Sequence, residues 1–180
     1  MSTWKTRGLR GSVLEEQINR SNDRYREYGL ALIQKIPTPI TPMEIDRQTK
    51  HITLAYFDQK STVDYIGAVQ GVPVCFDAKE CAQDTFSLRN IHPHQYAFMK
   101  EFEEQDGIAF LLIYFVNRQE YRYLPFRDLA VFWERAEKGG RKSFRVDELD
   151  DGYIIPENAD GVLIAYLEML QRDIDERDCE

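Results

Sequence analysis

An α/β fold built on a mixed sheet is what this sequence predicts, and three observations predict it. From Ser12 to Tyr28, Leu14, Ile18, Asn22 and Tyr25 fall at helical spacing in one stripe. The run "IAFLLIYFV" (108–116) is continuously apolar and bounded by a glycine and polar residues, as a strand covered on both faces would be. Between them, "STVDYIGAVQGVPVCFDAKE" (61–80) reads as two short strands about a glycine turn. Helix, strand, hairpin, helix, strand in that order places helices against a mixed sheet.

Each element follows from local chemistry. In the first helix Ser12 and Glu15 have the spacing of a capping box, and Gly29 stops the helix. "LALIQKI" (30–36) then reads as a buried strand. Pro37, Pro39 and Pro42 exclude a central strand over the next residues, so positions 37–58 form an extended arm inserted between core elements, with "HITLAYF" able to form a strand within it. "CAQDTFSLRN" (81–90) is a polar loop. A helix runs from Pro93 to Glu104 with Tyr96, Met99 and Phe102 on its apolar side. "EYRYLPF" (120–126) pairs as a further strand, "RDLAVFWERAEK" (127–138) is a helix ended by Gly139 and Gly140, and "GVLIAYLEMLQRDIDERD" (161–178) is a closing helix with an acidic end. There are no repeats, and residues 1–180 read as a single domain.

Composition removes several function classes. With 43% hydrophobic residues the 180-residue chain can bury a core, yet it has no run of about 18 apolar residues to span a membrane. "MSTWKTRGLRGS" lacks the apolar stretch of a signal peptide, so a cytoplasmic protein is expected. Cys75, Cys81 and Cys179 are three in number and lack C-x-x-C spacing, which suits reduced thiols better than disulfides or a thiolate zinc site. His92 and His94 have no third ligand in sequence reach and read as loop residues before they read as a zinc pair. A net charge of −8 disfavours indiscriminate polyanion binding, so any contact with DNA has to come from local basic patches. Two exist: Arg7 and Arg10 before the first helix, and Lys138, Arg141, Lys142 and Arg145 in "KGGRKSFR". Either can grip phosphates; equally, they are a frayed terminus and a solvated helix end.

The hairpin carries the chemistry. With Gln70 and Gly71 as a two-residue turn, paired positions sum to 141, which sets Tyr65 opposite Phe76 and Asp64 opposite Asp77. Strand alternation points Asp77 and Lys79 to the same face. Two carboxylates facing each other destabilise a strand pair unless a cation lies between them. Lys79 serves in part, and a divalent ion such as Mg²⁺, which takes one or two carboxylates and completes its shell with water and phosphate, serves better. On spacing alone a solvated strand face stands level with a metal site.

Beyond these patterns, "RGLRGSVLEEQINRSNDRY", "QKIPTPI", "AYFDQKSTVDYIGAVQGVPVCFDAKE", "FSLRNIHPHQ" and "RKSFRVDEL" together resemble the RecU family of Holliday-junction resolvases, also known as penicillin-binding-protein-related factor A. The resemblance implies a restriction-endonuclease-like PD-(D/E)xK core with a projecting proline-rich stalk at the arm. It implies Asp64 and Asp77 as metal ligands and Lys79 as the catalytic lysine, with Asp77 standing where the family usually carries glutamate. Glu15 matches the helix-borne acid that completes the metal shell, beside its alternative as a cap. Thr62 and Gln95 fall in the neighbourhood of the site, Gln95 alternatively as a plain first-turn residue. The activity implied is Mg²⁺- or Mn²⁺-dependent hydrolysis of four-way DNA junctions by a homodimer in recombination and repair, with a recombinase as a further partner. The arm is less basic than the family's, Arg47 and Lys50 being set against Glu44, Asp46 and Asp58. A same-fold nuclease for other DNA structures, and a non-catalytic DNA- or recombinase-binding module, are the alternatives.

Overall fold

The computed structural model describes residues 10–37, 39–57, 62–159 and 161–179. Helix α1 (Arg10–Glu27) leads to strand β1 (Ala31–Lys35), the ribbon strands β2 (Ile40–Ile45) and β3 (Ile52–Phe57), and the hairpin β4 (Tyr65–Val69) and β5 (Val72–Cys81). Strand β6 (Thr85–Ser87), helix α2 (Pro93–Glu103), strands β7 (Ile108–Phe115) and β8 (Glu120–Pro125) and helix α3 (Phe126–Glu137) follow. The chain finishes with β9 (Ser143–Arg145), β10 (Ile154–Ile155), β11 (Glu157–Ala159), β12 (Val162–Ile164) and α4 (Tyr166–Arg177). Among the described residues no helix is long and apolar enough to cross a membrane.

Six strands form the main sheet in the order β1-β4-β5-β7-β8-β10, and only β5 and β7 run parallel. That pair is joined through α2, because parallel neighbours need a crossover where antiparallel ones need only a turn. Alternation along β5 and β7 then feeds two cores. Val74, Phe76, Phe110 and Leu112 pack with Leu14 and Ile18 of α1 and Tyr166 and Leu170 of α4. Cys75, Ala109, Leu111 and Ile113 pack with Met99 of α2 and Leu129 and Phe132 of α3. On the first face Tyr65, Phe76, Phe110 and Tyr123 stack ring on ring at 4.7, 4.7 and 4.3 Å, an offset ladder across four strands. β1 approaches β4 so closely that a Cβ on Gly67 would lie 2.2 Å from the Leu32 carbonyl oxygen, so only glycine fits there.

Several expectations are corrected. Strand β1 is not buried: it is the sheet edge, with only Ala31 inside and Leu32 61% exposed. Ser12 does not cap α1, since the helix already includes Arg10 and Gly11. The stretch expected as a polar loop contains β6, which pairs with β9 and stacks Phe86 on Phe144 at 5.0 Å. The closing segment is not one helix; Val162–Ile164 is a strand, paired with β11, before α4 begins at Tyr166. The arm is a two-stranded ribbon with register shifts around Pro42 and Glu44, where proline interrupts the ladder. Ile40, Met43, Ile45, Ile52, Leu54 and Tyr56 are all exposed on it.

The closing helix is tied down by charge as well as packing. Asp173 is fully buried, accepts from the Tyr123 hydroxyl at 2.8 Å and from Arg177 Nε at 2.9 Å, and pairs with Arg127. Arg177 makes a fork of 2.6 and 2.9 Å with Glu103 at the end of α2. These partners satisfy a buried carboxylate that would otherwise be costly.

Candidate active site

The register predicted for the hairpin is the one observed. Tyr65 pairs with Phe76 and Val69 with Val72, every pair summing to 141, around a turn in which Gln70 and Gly71 both have positive φ (47° and 95°). Continuing that register one step brings Asp64 against Asp77. The Asp64 amide donates to Asp77 Oδ1 at 3.1 Å, and the Ala78 amide donates to Asp64 Oδ2 at 3.0 Å. Each carboxylate is therefore fixed by the backbone of the other strand.

Asp77 is fully buried, beside Cys75 on the face covered by α2 and α3. Its Oδ2 lies 2.6 Å from Lys79 Nζ, yet no donor meets that oxygen with hydrogen-bond geometry. Burial, and next the Asp64 carboxylate, push the Asp77 carboxyl up to about 7, against the pull of Lys79. A buried oxygen that is close to an ammonium group but not hydrogen-bonded, in a pair of facing acids, has the donor chemistry for a divalent cation. The residues present thus fit an ion with two protein oxygens, the rest of its shell coming from water and phosphate. Among the described residues no group of three His, Cys, Asp or Glu side chains comes together as a complete metal cage.

Glu15 stands at the mouth of the site. It lines a cavity of about 630 Å³ with Lys79, Glu80 and Val116 at the end of β5. Its Oε2 is held by Lys35 Nζ at 2.5 Å, a partner the sequence reading did not name. Lys35 is opposite Tyr65 in the β1–β4 register, and the Tyr65 hydroxyl reaches Asn19 Oδ1 at 3.1 Å, so α1 is docked by polar contacts to β1 through Glu15 and to the hairpin through Asn19. Thr62 is half-buried two residues before Asp64. Gln95 is buried, and its Oε1 accepts from the His92 amide at 3.0 Å, the reciprocal half of a cap at the start of α2. Its first-turn alternative is thus the contact made.

The basic cluster is exposed and mostly spoken for. Lys138 pairs with Glu134 at 3.1 Å, Arg145 with Asp147 at 3.1 Å, and Arg141 with Glu148, which also holds Arg135. Lys142 has no ion pair among the described residues. Arg10 opens α1, and Arg7 lies outside the described residues.

Two facing acids and a lysine thus lie together on the hairpin of a mixed sheet flanked by helices, with the lysine on the wall of a cavity. The chain belongs to the RecU family: the family described as Recombination protein U matches residues 9–172. The Holliday junction resolvase RecU of Pediococcus pentosaceus is 40% identical over 93% of this chain and 86% of its own. Its counterpart from Staphylococcus carnosus is 43% identical over 83% and 74%. Among solved structures, that of Archaeoglobus fulgidus Hjc, a Holliday junction resolvase from an archaeal hyperthermophile, covers 62% of this chain and 74% of its own at 8% identity with a TM-score of 0.34.

Proposed function

We propose that the protein is a structure-specific endonuclease that resolves four-way DNA junctions, and that it uses Mg²⁺ or Mn²⁺ held by Asp64 and Asp77. The observation that carries this reading is the fully buried Asp77 carboxylate, which faces the Asp64 carboxylate and lies 2.6 Å from Lys79 Nζ. Family membership and the names of the relatives support the junction as substrate. A divalent ion bound there supplies Lewis-acid stabilisation of charge on the phosphate. Lys79, only 19% exposed but on the wall of the cavity, is placed to orient a water and favour its deprotonation at the phosphorus. Asp64 and Asp77 fix that arrangement through the two cross-strand amide bonds, which make the carboxylate positions part of the sheet. Glu15, held by Lys35, adds negative charge at the entrance, where it can order water around the ion.

Two strands of like polarity must be cut in a junction, so a two-fold homodimer presents two equivalent sites. The exposed apolar ribbon β2–β3 supports that assembly, since a second copy is a natural cover for such a surface. Cleavage of a labelled mobile four-way junction beside a linear duplex of the same sequence tests the function, in Mg²⁺, Mn²⁺ or EDTA and with Lys79→Ala. Paired, metal-dependent nicks on the junction alone, lost in Lys79→Ala, are expected. Equal cutting of the duplex would replace the resolvase by a general nuclease, and junction binding without cutting by the parent protein would leave a binding module.

A further inference from the structure

A second concavity lies on the same side of the sheet as Asp77 and Lys79. It is a groove of about 520 Å³ between the start of α2 and the end of α3. Leu88, Ile91 and Ala136 form apolar wall, and all three belong to the core that packs behind Cys75 or against it. Trp133 supplies a flat aromatic surface. One part of its ring is stacked on Tyr96 at 4.2 Å and 7°, and its indole N–H donates to Glu137 at 3.2 Å, so the ring is held in one orientation where it lines the groove. Arg89 and Lys142 lie at the rim, both exposed.

These two cations differ from their neighbours. Lys138, Arg141 and Arg145 are each paired with an acid of the same surface, whereas neither Arg89 nor Lys142 has an ion pair among the described residues. In a chain of net charge −8, two unneutralised cations converging on one aromatic-walled groove are complementary to an anion that carries a flat ring. A fixed indole beside free guanidinium and ammonium groups is the combination that takes unpaired nucleotides, with the base stacked and the phosphates held by charge. Glu137 also lines the groove, with its carboxylate accepting the indole N–H, and the apolar remainder of the wall suits a base, which presents a π-face whatever its identity.

We infer that this groove binds an unpaired nucleotide of the DNA substrate, the base against Trp133 and its phosphates on Arg89 and Lys142. The inference rests on the nuclease reading for its ligand, since branched DNA is where stacking is interrupted. It adds a second contact with DNA apart from the acids proposed to hold the metal ion, one that favours DNA with open bases over continuous duplex.

Trp133 reports on its own site. The sequence has two tryptophans, so Trp4→Phe leaves Trp133 as the sole tryptophan, excited selectively over tyrosine at the red edge of its absorption. Titration of that variant with a single-stranded oligothymidylate in EDTA is expected to quench its emission, and Arg89→Ala with Lys142→Ala to weaken the oligonucleotide about tenfold or more. Both replaced side chains are exposed, so this double variant retains the fold, as its thermal midpoint would check. Unquenched emission, or the same affinity in the double variant as in its parent, overturns the inference, as does quenching by an acidic peptide but not by the oligonucleotide. Junction cleavage in Mg²⁺, measured on the same preparations, separates the two readings. A protein that cuts junctions while Trp133 ignores the oligonucleotide refutes the groove alone; one that binds it there and cuts nothing refutes the nuclease alone.

Discussion

The hairpin acids and the basic cluster after α3 are both concentrations of charge, and the fold treats them in opposite ways. Asp77 is fully buried, faces Asp64, and keeps one oxygen without a hydrogen bond although Lys79 is beside it. Lys138, Arg141 and Arg145 are exposed and paired with Glu134, Glu148 and Asp147. Exposed pairs are worth little and exchange readily with solvent or phosphate. A buried carboxylate facing a half-buried one is kept only because the surrounding sheet holds it, and it is where the proposed cation would sit. Charge density in sequence therefore does not rank the two regions: the denser cluster is largely self-neutralised, and the sparse one holds the facing acids of the candidate site.

The largest way to break the contrast is at the hairpin. Lys79→Ala and Asp77→Asn should each lower junction cleavage by about 10²–10⁴-fold. The Asp77→Asn thermal midpoint should not fall, because the amide removes a buried carboxylate that faces the half-buried carboxylate of Asp64. A fall in both cleavage and midpoint would make Asp77 a structural residue. Next in size, Phe76→Ala should cost about 3–5 kcal/mol in chemical unfolding, since the ring fills the core directly behind the acids and stacks on Tyr65 and Phe110. A cost near zero would show that the ladder does not hold the hairpin.

On the cluster the effects are smaller. Lys142→Ala should weaken DNA binding for all sequences and reduce the salt slope by about 1, while Arg141→Ala, whose charge is already met by Glu148, should do less. Equal effects in a salt titration would mean that the ion pair opens on DNA. Smallest of all, Glu148→Gln frees Arg135 and Arg141 together and should tighten binding slightly with a steeper salt dependence. No change would show that this surface stays clear of DNA.

The geometry of the candidate site was legible in the sequence because it is local. Thirteen positions separate Asp64 from Asp77, and a two-residue turn converts that spacing into a register without any tertiary information. The central strand β7 was legible for a similar reason, as its apolar run is unbroken. What could not be read depends on distant partners. Phe86 and Phe144 stack across 58 positions, and the three-residue strands that carry them are too short to show a period. Val162–Ile164 has the same composition in a strand as in a helix, and only β11 decides between them. Lys35 could not be assigned to Glu15 until β1 was known to lie at the sheet edge beside α1. Gln95 looks like a site residue in sequence, and its carbonyl oxygen is engaged in capping α2.

The ionic knot at α4 has a bearing on synthesis. Tyr123, Arg127 and Glu103 lie on three elements made early, and their shared partners Asp173 and Arg177 belong to the last helix. A nascent chain halted before position 173 has the hairpin acids and the central strand already made but leaves those polar groups unmatched on an unfinished core. Translation thus has to run through the closing helix before the cutting site rests on a settled scaffold, and a ribosome-stalled fragment that already carries both aspartates would be a poor nuclease and a ready target for proteolysis.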